Sequence, residues 1–375
     1  MYNILLSCTL AFVITFFAIP IIIQVARDKK LFDEPDERKV HKTMIPTLGG
    51  LGIFAGFILA TLLGVPAESH EVKYFAAAAI VIFFLGIKDD ILVLSAGKKF
   101  LGQLIAAGII IKFADIRIHS MHSFLGLNEM PHLASILFSL FTIIVITNSF
   151  NLIDGVDGLA GSLGLLTTII FGSYFTYIGE LAYAVLAFSL AGSLIAFLIY
   201  NFSPAKIFMG DTGSLLIGLI NSILVIKFIN IADIPTIRFP LQAVPAIGFS
   251  LLIVPLFDTL RVFGLRILNR RSPFSPDRNH IHHFLLDLGY NHRAITFICV
   301  LVNLSLVATA FFLRSLGTTI DIAILLSISS LFVLICYYYS RNKNRQLTRT
   351  KKPMKEEIIK THRVLTLVTR GVEAK

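Results

Sequence analysis

The chain has 375 residues, of which 55% are hydrophobic and only 15% charged, with a formal net charge of +10 and a mean hydropathy of +0.80. A soluble domain carries roughly a quarter charged residues, so this composition excludes a water-soluble globular protein and points to an integral membrane protein. The excess of positive charge is met by membrane topology, as shown next, and calls for no nucleic acid.

Eleven apolar runs can be read as transmembrane helices, at roughly 4–26, 48–67, 74–88, 100–113, 133–150, 158–178, 181–200, 212–229, 239–260, 294–314 and 318–340; a span needs about 20 such residues, and several of these are short or interrupted by Gly and Pro. The expected fold is therefore all-α, a polytopic bundle of about 11 helices. With the N-terminus outside, the segments 27–47, 88–99, 201–211, 261–293 and 341–375 face the cytoplasm and hold 27 of the 33 Lys and Arg residues. The positive-inside rule then orients the chain N-out and C-in. The first run has no basic residues before it, unlike a cleaved signal peptide, and is expected to remain as a helix. Cys8, Cys299 and Cys336 all fall inside these runs, so neither a disulfide nor a cysteine zinc site is expected. Residues 1–340 form one membrane domain, followed by a basic cytoplasmic tail, 341–375, suited to anionic lipid headgroups.

The chemistry lies between the runs. Taken in chain order, "HKTMIPTLGGLGIFAG" places His41 and Lys42 at the mouth of a glycine-rich helix, where they could face an anionic ligand; Gly52 and Gly56 have the spacing of a helix-packing motif. "GIKDDILVLSAGKKF" sets Asp89 beside Asp90, a pair that requires a cation close by: a divalent metal, or a lysine from among Lys88, Lys98 and Lys99. In "NSFNLIDGVDGLAG", Asn148, Asn151, Asp154 and Asp157 recur every three residues, a step that slips around a helix, so no single helical face can present all four. A helix ending near Asp154, a polar turn and a new helix from near Gly158 fit better, and such backbone is tolerated at this depth only against protein or a wet cavity.

Further on, "NFSPAKIFMGDTGSLLIG" carries Asp211 between glycines at the start of a span, with Thr212 and Ser214 as candidate caps and Phe208 able to stack on a base. The loop "RRSPFSPDRNHIHHFLLDLGY" brings His280, His282 and His283 next to Arg270, Arg271 and Arg278, a combination better matched to phosphate than to zinc. Asp89, Asp90, Asp154, Asp157, Asp211 and Asp258 come from five spans and all fall at cytoplasmic ends. Carboxylates so near hydrocarbon are costly and mark function. Their collection at one interface, not at the bilayer midplane, argues for an enzyme over a transporter or flippase.

Five segments, HKT-x-x-P-x-x-GG at 41–50, the acidic pair at 89–90, N-x-x-N-x-x-DG-x-DG-x-A at 148–160, MGDTGS at 209–214 and HIHH at 280–283, together resemble the polyprenyl-phosphate N-acetylhexosamine-1-phosphate transferases, glycosyltransferase family 4, and occur in that family's order. The resemblance implies a Mg²⁺-dependent enzyme of the bacterial cytoplasmic membrane, with Mn²⁺ a possible substitute. It would move a sugar-1-phosphate from a UDP-sugar to a polyprenyl phosphate and release UMP. It further implies Asp211 as metal ligand, Asp89 and Asp90 as catalytic or metal-adjacent, and Asp154, Asp157, Asn201 and Phe208 around the nucleotide. Asn148 and Asn151 would line the same cleft, and His280, His282, His283 and Arg278 would meet phosphate. "HIHH" preceded by "SPFSPDRN" is closer to the GlcNAc-1-phosphate transferases than to the muramoyl-pentapeptide branch, so UDP-GlcNAc is the expected donor, ahead of another UDP-N-acetylhexosamine. Direct in-line attack is preferred, with Asp90 assisting as base or positioning the acceptor; a two-step route through an aspartyl-linked phosphosugar is the rival. Family members are often dimeric, so a homodimer is a further expectation.

Overall fold

The computed structural model describes residues 2–29, 45–66, 68–272, 279–343 and 345. Among these the chain is helical apart from one hairpin: α1 (Tyr2–Asp28), α2 (Gly49–Gly64), α3 (Val72–Ile91), α4 (Ala96–Phe113), β1 (Ser120–Phe124), β2 (Leu127–Glu129), α5 (His132–Ile153), α6 (Leu159–Ile178), α7 (Leu181–Asn201), α8 (Gly210–Ile231), α9 (Val244–Leu251), α10 (Ile253–Leu268), α11 (Ile281–Asp287), α12 (His292–Leu313) and α13 (Thr318–Lys343). His41, Lys42 and Arg278, and the tail beyond 345, lie outside the described residues. The last helix runs past the expected boundary at 340, to Lys343.

Each of the eleven apolar runs is helical, but they are not eleven equivalent spans. Seven helices are long and apolar enough to cross a membrane, and α9 with α10 makes an eighth if that bent pair counts as one. Of the other three, α2 has only 16 residues, α3 ends in Lys88, Asp89 and Asp90, and α4 begins with Lys98 and Lys99. Polar residues required at the site have been taken into the helix ends, which shortens the apolar stretch.

The run at 239–260 is not one straight helix: α9 and α10 meet at an 84° bend. Pro255 has no N–H for the carbonyl of Leu251 and its ring would clash with that carbonyl in a continuous helix. The freed groups are satisfied from α12, where buried Asn303 donates to the Leu251 carbonyl at 3.1 Å and accepts from the Val254 N–H at 3.3 Å. This is how a broken helix survives away from water.

α8 lies at the centre, buried along nearly its whole length between α2, α3, α5 and α6. Gly52 and Gly56 face α1, where a Cβ would meet Ile19 or the Ala11 carbonyl, and Thr15 donates to the Gly52 carbonyl at 3.1 Å. The small-residue spacing therefore packs α2 onto α1. α3 is held as tightly against α8, since a Cβ on Gly86 would lie 2.4 Å from Thr212 Cα.

The hairpin was not expected in an all-α chain. β1 and β2 pair antiparallel, with Phe124 opposite Leu127, around a two-residue turn in which Leu125 (φ 51°) and Gly126 (φ 79°) are both left-handed, as a hairpin turn of this kind requires. It sits in the longest loop on the side opposite the carboxylates, where Thr318 at the start of α13 donates to the His122 carbonyl.

Candidate active site

Helix directions alternate along the chain, so the C-terminal ends of α3, α5 and α7 meet the N-terminal ends of α2, α4, α6, α8 and α12 at one end of the bundle. Backbone bonds register the first of these junctions. The N–H groups of Gly49 and Gly50 donate to the carbonyls of Phe208 and Met209 at 2.9 and 2.8 Å, and the Phe208 N–H donates to the Pro46 carbonyl at 2.7 Å. Gly210 then turns into α8 with φ +71°, where a Cβ would lie 2.3 Å from the Thr47 carbonyl oxygen. Glycine is required here for conformation and for space alike.

The expected cation beside the acidic pair is Lys99. Its ammonium lies 2.6 Å from Asp89 Oδ2 and 2.7 Å from Asp211 Oδ2, joining α3, α4 and α8. Asn151 completes the surroundings of Asp211, its amide donating to Asp211 Oδ1 at 2.9 Å and to Ser214 Oγ at 3.1 Å. Asp90 has a different environment from its neighbour. Its Oδ1 accepts the Asp211 N–H at 2.7 Å, and its Oδ2 accepts the Thr212 N–H at 3.1 Å and hydroxyl at 2.6 Å. The α8 N-terminus is thus capped by an anion from another helix, which satisfies its free N–H groups and complements its dipole. Thr212 and Ser214, the candidate caps by sequence, instead donate to Asp90 and to the Gly210 carbonyl.

The polar turn between α5 and α6 is where the three-residue repeat placed it. α5 ends at Ile153, Asp154 follows, and Gly158 (φ +77°) opens α6. Asn201 fastens it, accepting the Gly158 N–H at 2.8 Å and donating to the Ile207 carbonyl at 2.9 Å. Asp157 is buried, with His292 Nδ1 3.1 Å from Oδ1 and the Ala205 N–H donating to Oδ2 at 3.3 Å. Asn148 exchanges amide bonds with Gln103 of α4 at 2.7 and 3.2 Å. These three residues build the walls. Asp154 is the contrast, since burial, and then the nearby charges of Asp211, Asp90 and Asp157, hold its carboxyl well above the usual carboxylate range.

The histidine row closes the other side. His282 and His283 stand 4.3 Å apart, centroid to centroid, and His280 stacks on His282 at 5.7 Å. His282 lies against the turn, because a Cβ on Gly155 would sit 2.8 Å from its Nε2. Burial first, and the charge of His283 next, hold the His282 imidazole down at about 3, so it is neutral at physiological pH. Phe208 is half-buried beside the Asp211 turn, and Phe202 covers Gly158. Lys99 was one of three candidate lysines by sequence, whereas Gln103, His292 and Arg261 were missed. Gln103 carried a signal, being one turn from Lys99 on an otherwise apolar helix face.

Asp89 and Asp211 offer two carboxylates already gathered around one positive charge, and Asn151 adds an amide alongside. The carboxylate pair matches magnesium, which typically binds one or two carboxylates together with substrate phosphates. Among the described residues no three His, Cys, Asp or Glu side chains form a metal cluster.

A family model described as glycosyl transferase family 4 matches residues 72–229, the stretch from α3 through α8 that holds both Asp89 and Asp211. The chain is 32% identical over 343 residues to a probable undecaprenyl-phosphate N-acetylglucosaminyl 1-phosphate transferase of Bacillus subtilis (strain 168), covering 89% of this chain and 90% of that protein. It is 33% identical over 317 residues to a decaprenyl-phosphate N-acetylglucosaminephosphotransferase of Mycobacterium leprae (strain TN), covering 78% and 79%. An undecaprenyl-phosphate alpha-N-acetylglucosaminyl 1-phosphate transferase of Escherichia coli (strain K12) is 26% identical over 293 residues, covering 76% and 77%.

Proposed function

The chain belongs to glycosyl transferase family 4, and from that premise we propose that it transfers N-acetylglucosamine-1-phosphate from UDP-GlcNAc to undecaprenyl (polyprenyl) phosphate, releasing UMP and initiating synthesis of a cell-surface polysaccharide. The observation that carries this reading is the junction of Asp89, Lys99 and Asp211, placed where the polar turn and the histidine row converge. The site end is the cytoplasmic end. That assignment is supported by the charge bias of the sequence, whose segments expected to face the cytoplasm hold 27 of the 33 Lys and Arg residues, and by the helix order, which leaves the start of α1 on the opposite side and the end of α13 on the same side. α2, α3 and α4 complete the bundle as further membrane segments.

The reaction brings a phosphate monoester to a diphosphate, so mutual repulsion is the first barrier. Asp211 and Asp89 would hold a Mg²⁺ ion, which when bound neutralises phosphate charge and polarises the bond that breaks. Lys99, paired with both carboxylates, supplies a further cation at the same place. The acceptor phosphate, with a second pKa near 6, is mostly dianionic at pH 7 and is a competent nucleophile without a strong base. Direct in-line attack follows, with catalysis by positioning and electrostatics. Asp90 serves by holding Asp211 and the α8 N-terminus in register, because both its oxygens already accept hydrogen bonds. Asn151 orients Asp211, Phe208 offers its ring to the uracil, and His282 and His283 present their imidazoles toward phosphate. Asn148, Asn201 and Asp157 keep the cleft walls rigid.

The test is UMP release by purified protein with undecaprenyl phosphate and Mg²⁺, comparing UDP-GlcNAc, UDP-GalNAc and UDP-MurNAc-pentapeptide. Turnover with UDP-GlcNAc is expected. Turnover with another donor alone would change the sugar, and none with any donor, in folded protein, would sink the reading.

A further inference from the structure

A second buried carboxylate lies behind the histidine row. Asp258, in the second turn of α10, is 2% exposed. Its Oδ1 accepts the Ile281 N–H at 3.0 Å and Arg261 Nη2 at 2.8 Å, and its Oδ2 faces His280 Nδ1 at 2.8 Å. Arg261 also donates to the Asn279 carbonyl. A carboxylate this deep in the protein requires such donors, and here three converge on it from one short segment and its own helix.

The arrangement has a directional consequence. With Nδ1 taken by Asp258, His280 has Nε2 as its remaining nitrogen for a ligand. Ile281 N–H and, through Arg261, the Asn279 carbonyl are held by the same carboxylate, so the start of α11 is pinned on both sides of the ring. From His280 the contacts continue to His282, and from His282 to Gly155 beside Asp154.

Building on the transferase reading above, we propose that Asp258 is a positioning residue: it orients His280, with Nε2 directed to the donor phosphates, and registers the histidine row against the Asp154 turn. It acts through His280 and touches no substrate. A purely structural role would instead stabilise the fold with no dependence on His280.

The experiment is a double-mutant cycle on the full chain, with Asp258→Asn, His280→Ala and the pair assayed for UMP release with UDP-GlcNAc and polyprenyl phosphate. Asp258→Asn keeps one acceptor oxygen but turns an amide toward His280, and is expected to lower kcat by about 100-fold with KM for UDP-GlcNAc moving less than about threefold, as for other carboxylates that orient an imidazole. The double variant should be no slower than His280→Ala alone, and Asp258→Glu should recover part of the rate. A wild-type rate in Asp258→Asn, or a double variant slowed by the product of the two single effects, would overturn the proposal. Should Asp258→Asn not fold, the same cycle run with Asp258→Glu decides it on the same criterion. Wild-type turnover separates the two readings: its absence removes the transferase assignment, whereas its presence with an indifferent Asp258→Asn removes only this one.

Discussion

The two ends of the bundle treat charge in opposite ways. At the end with the hairpin, four acidic groups have a partner of their own, Asp115 with Arg117 at 2.8 Å, Asp233 with His122 at 2.7 Å, Glu180 with Lys227 at 3.4 Å, and Glu71 with the Tyr183 hydroxyl, while Glu68 and Glu129 are exposed to solvent. Asp321 departs from this pattern, buried at the start of α13 with neither oxygen hydrogen-bonded among the described residues. At the other end Asp89, Asp90, Asp154, Asp157 and Asp211 crowd together, and Lys99 is shared between two of them. One end is arranged for stability, while the other keeps negative charge close together in a form that only a cation can relieve, as Lys99 does for Asp89 and Asp211. Such local conflict in an otherwise consistent fold is where function is expected.

The largest expected effect comes from altering Asp211, the proposed metal ligand. Asp211→Asn should lower the rate of UMP release by about 10² to 10³-fold, the scale on which a lost electrostatic contact to the transition state is felt. Millimolar Mg²⁺ is expected to raise the melting temperature of the unaltered protein, and the variant should abolish that rise. An undiminished Mg²⁺ shift in that variant would place the metal elsewhere. Next, Lys99→Gln leaves Asp89 and Asp211 facing each other without a positive charge. A drop of about 10²-fold in activity and a lower melting temperature in Mg²⁺-free buffer are expected, and an unchanged melting temperature would show that the lysine does not relieve the crowding.

Asp154→Asn should separate function from stability. The folded-state pKa of Asp154 is raised above its unfolded value, so its ionised form disfavours the fold above the unfolded pKa, and the penalty fades as pH falls through the raised value. The variant should lose activity yet melt higher than the unaltered protein at pH 7 to 8. That gain should disappear toward acidic pH. A variant that melts lower at neutral pH would mean that Asp154 is not in conflict with its neighbours.

Two smaller effects probe regions away from the acidic cluster. Asn303→Ala orphans the Leu251 carbonyl and the Val254 N–H at the α9–α10 bend, a cost of about 1–3 kcal/mol, and should lower the melting temperature more than it lowers activity. Lys227→Gln breaks the pair with Glu180 and removes the cation 4.5 Å from the centroid of the Tyr183 ring, contacts that contribute about 0–1 kcal/mol each when partly exposed. Activity should be unchanged; a large loss would contradict the division of labour between the two ends.

Much of this could be read from the residues. The repeat of Asn148, Asn151, Asp154 and Asp157 demanded a helix break, and the break runs from Asp154 to Gly158. The spacing of Gly52 and Gly56 predicted close helix packing, and α1 supplies the partner. The acidic pair demanded a cation, but three lysines lay close enough in sequence to supply it. The hairpin escaped notice because its turn, Leu125–Gly126, lacks the usual Asn-Gly or Asp-Gly signature. The bend at Leu252 was concealed because Pro255 falls in a run apolar enough to read as one span, while Asn303, the residue that makes the bend tolerable, comes from a helix 50 residues further on.

What the sequence by itself determined was membrane residence, helical class and the clustering of chemically active residues at one end, because hydropathy, charge bias and local spacing act over one or two turns of chain. What only the tertiary structure decided was the division of roles within that cluster. Asp89 and Asp90 are adjacent in the chain, yet one meets Lys99 while the other caps α8, and Asp258 finds its histidine 22 residues away. Hydrogen bonds and ion pairs depend on distances of about 3 Å, which arise only when helices remote in sequence are packed against one another.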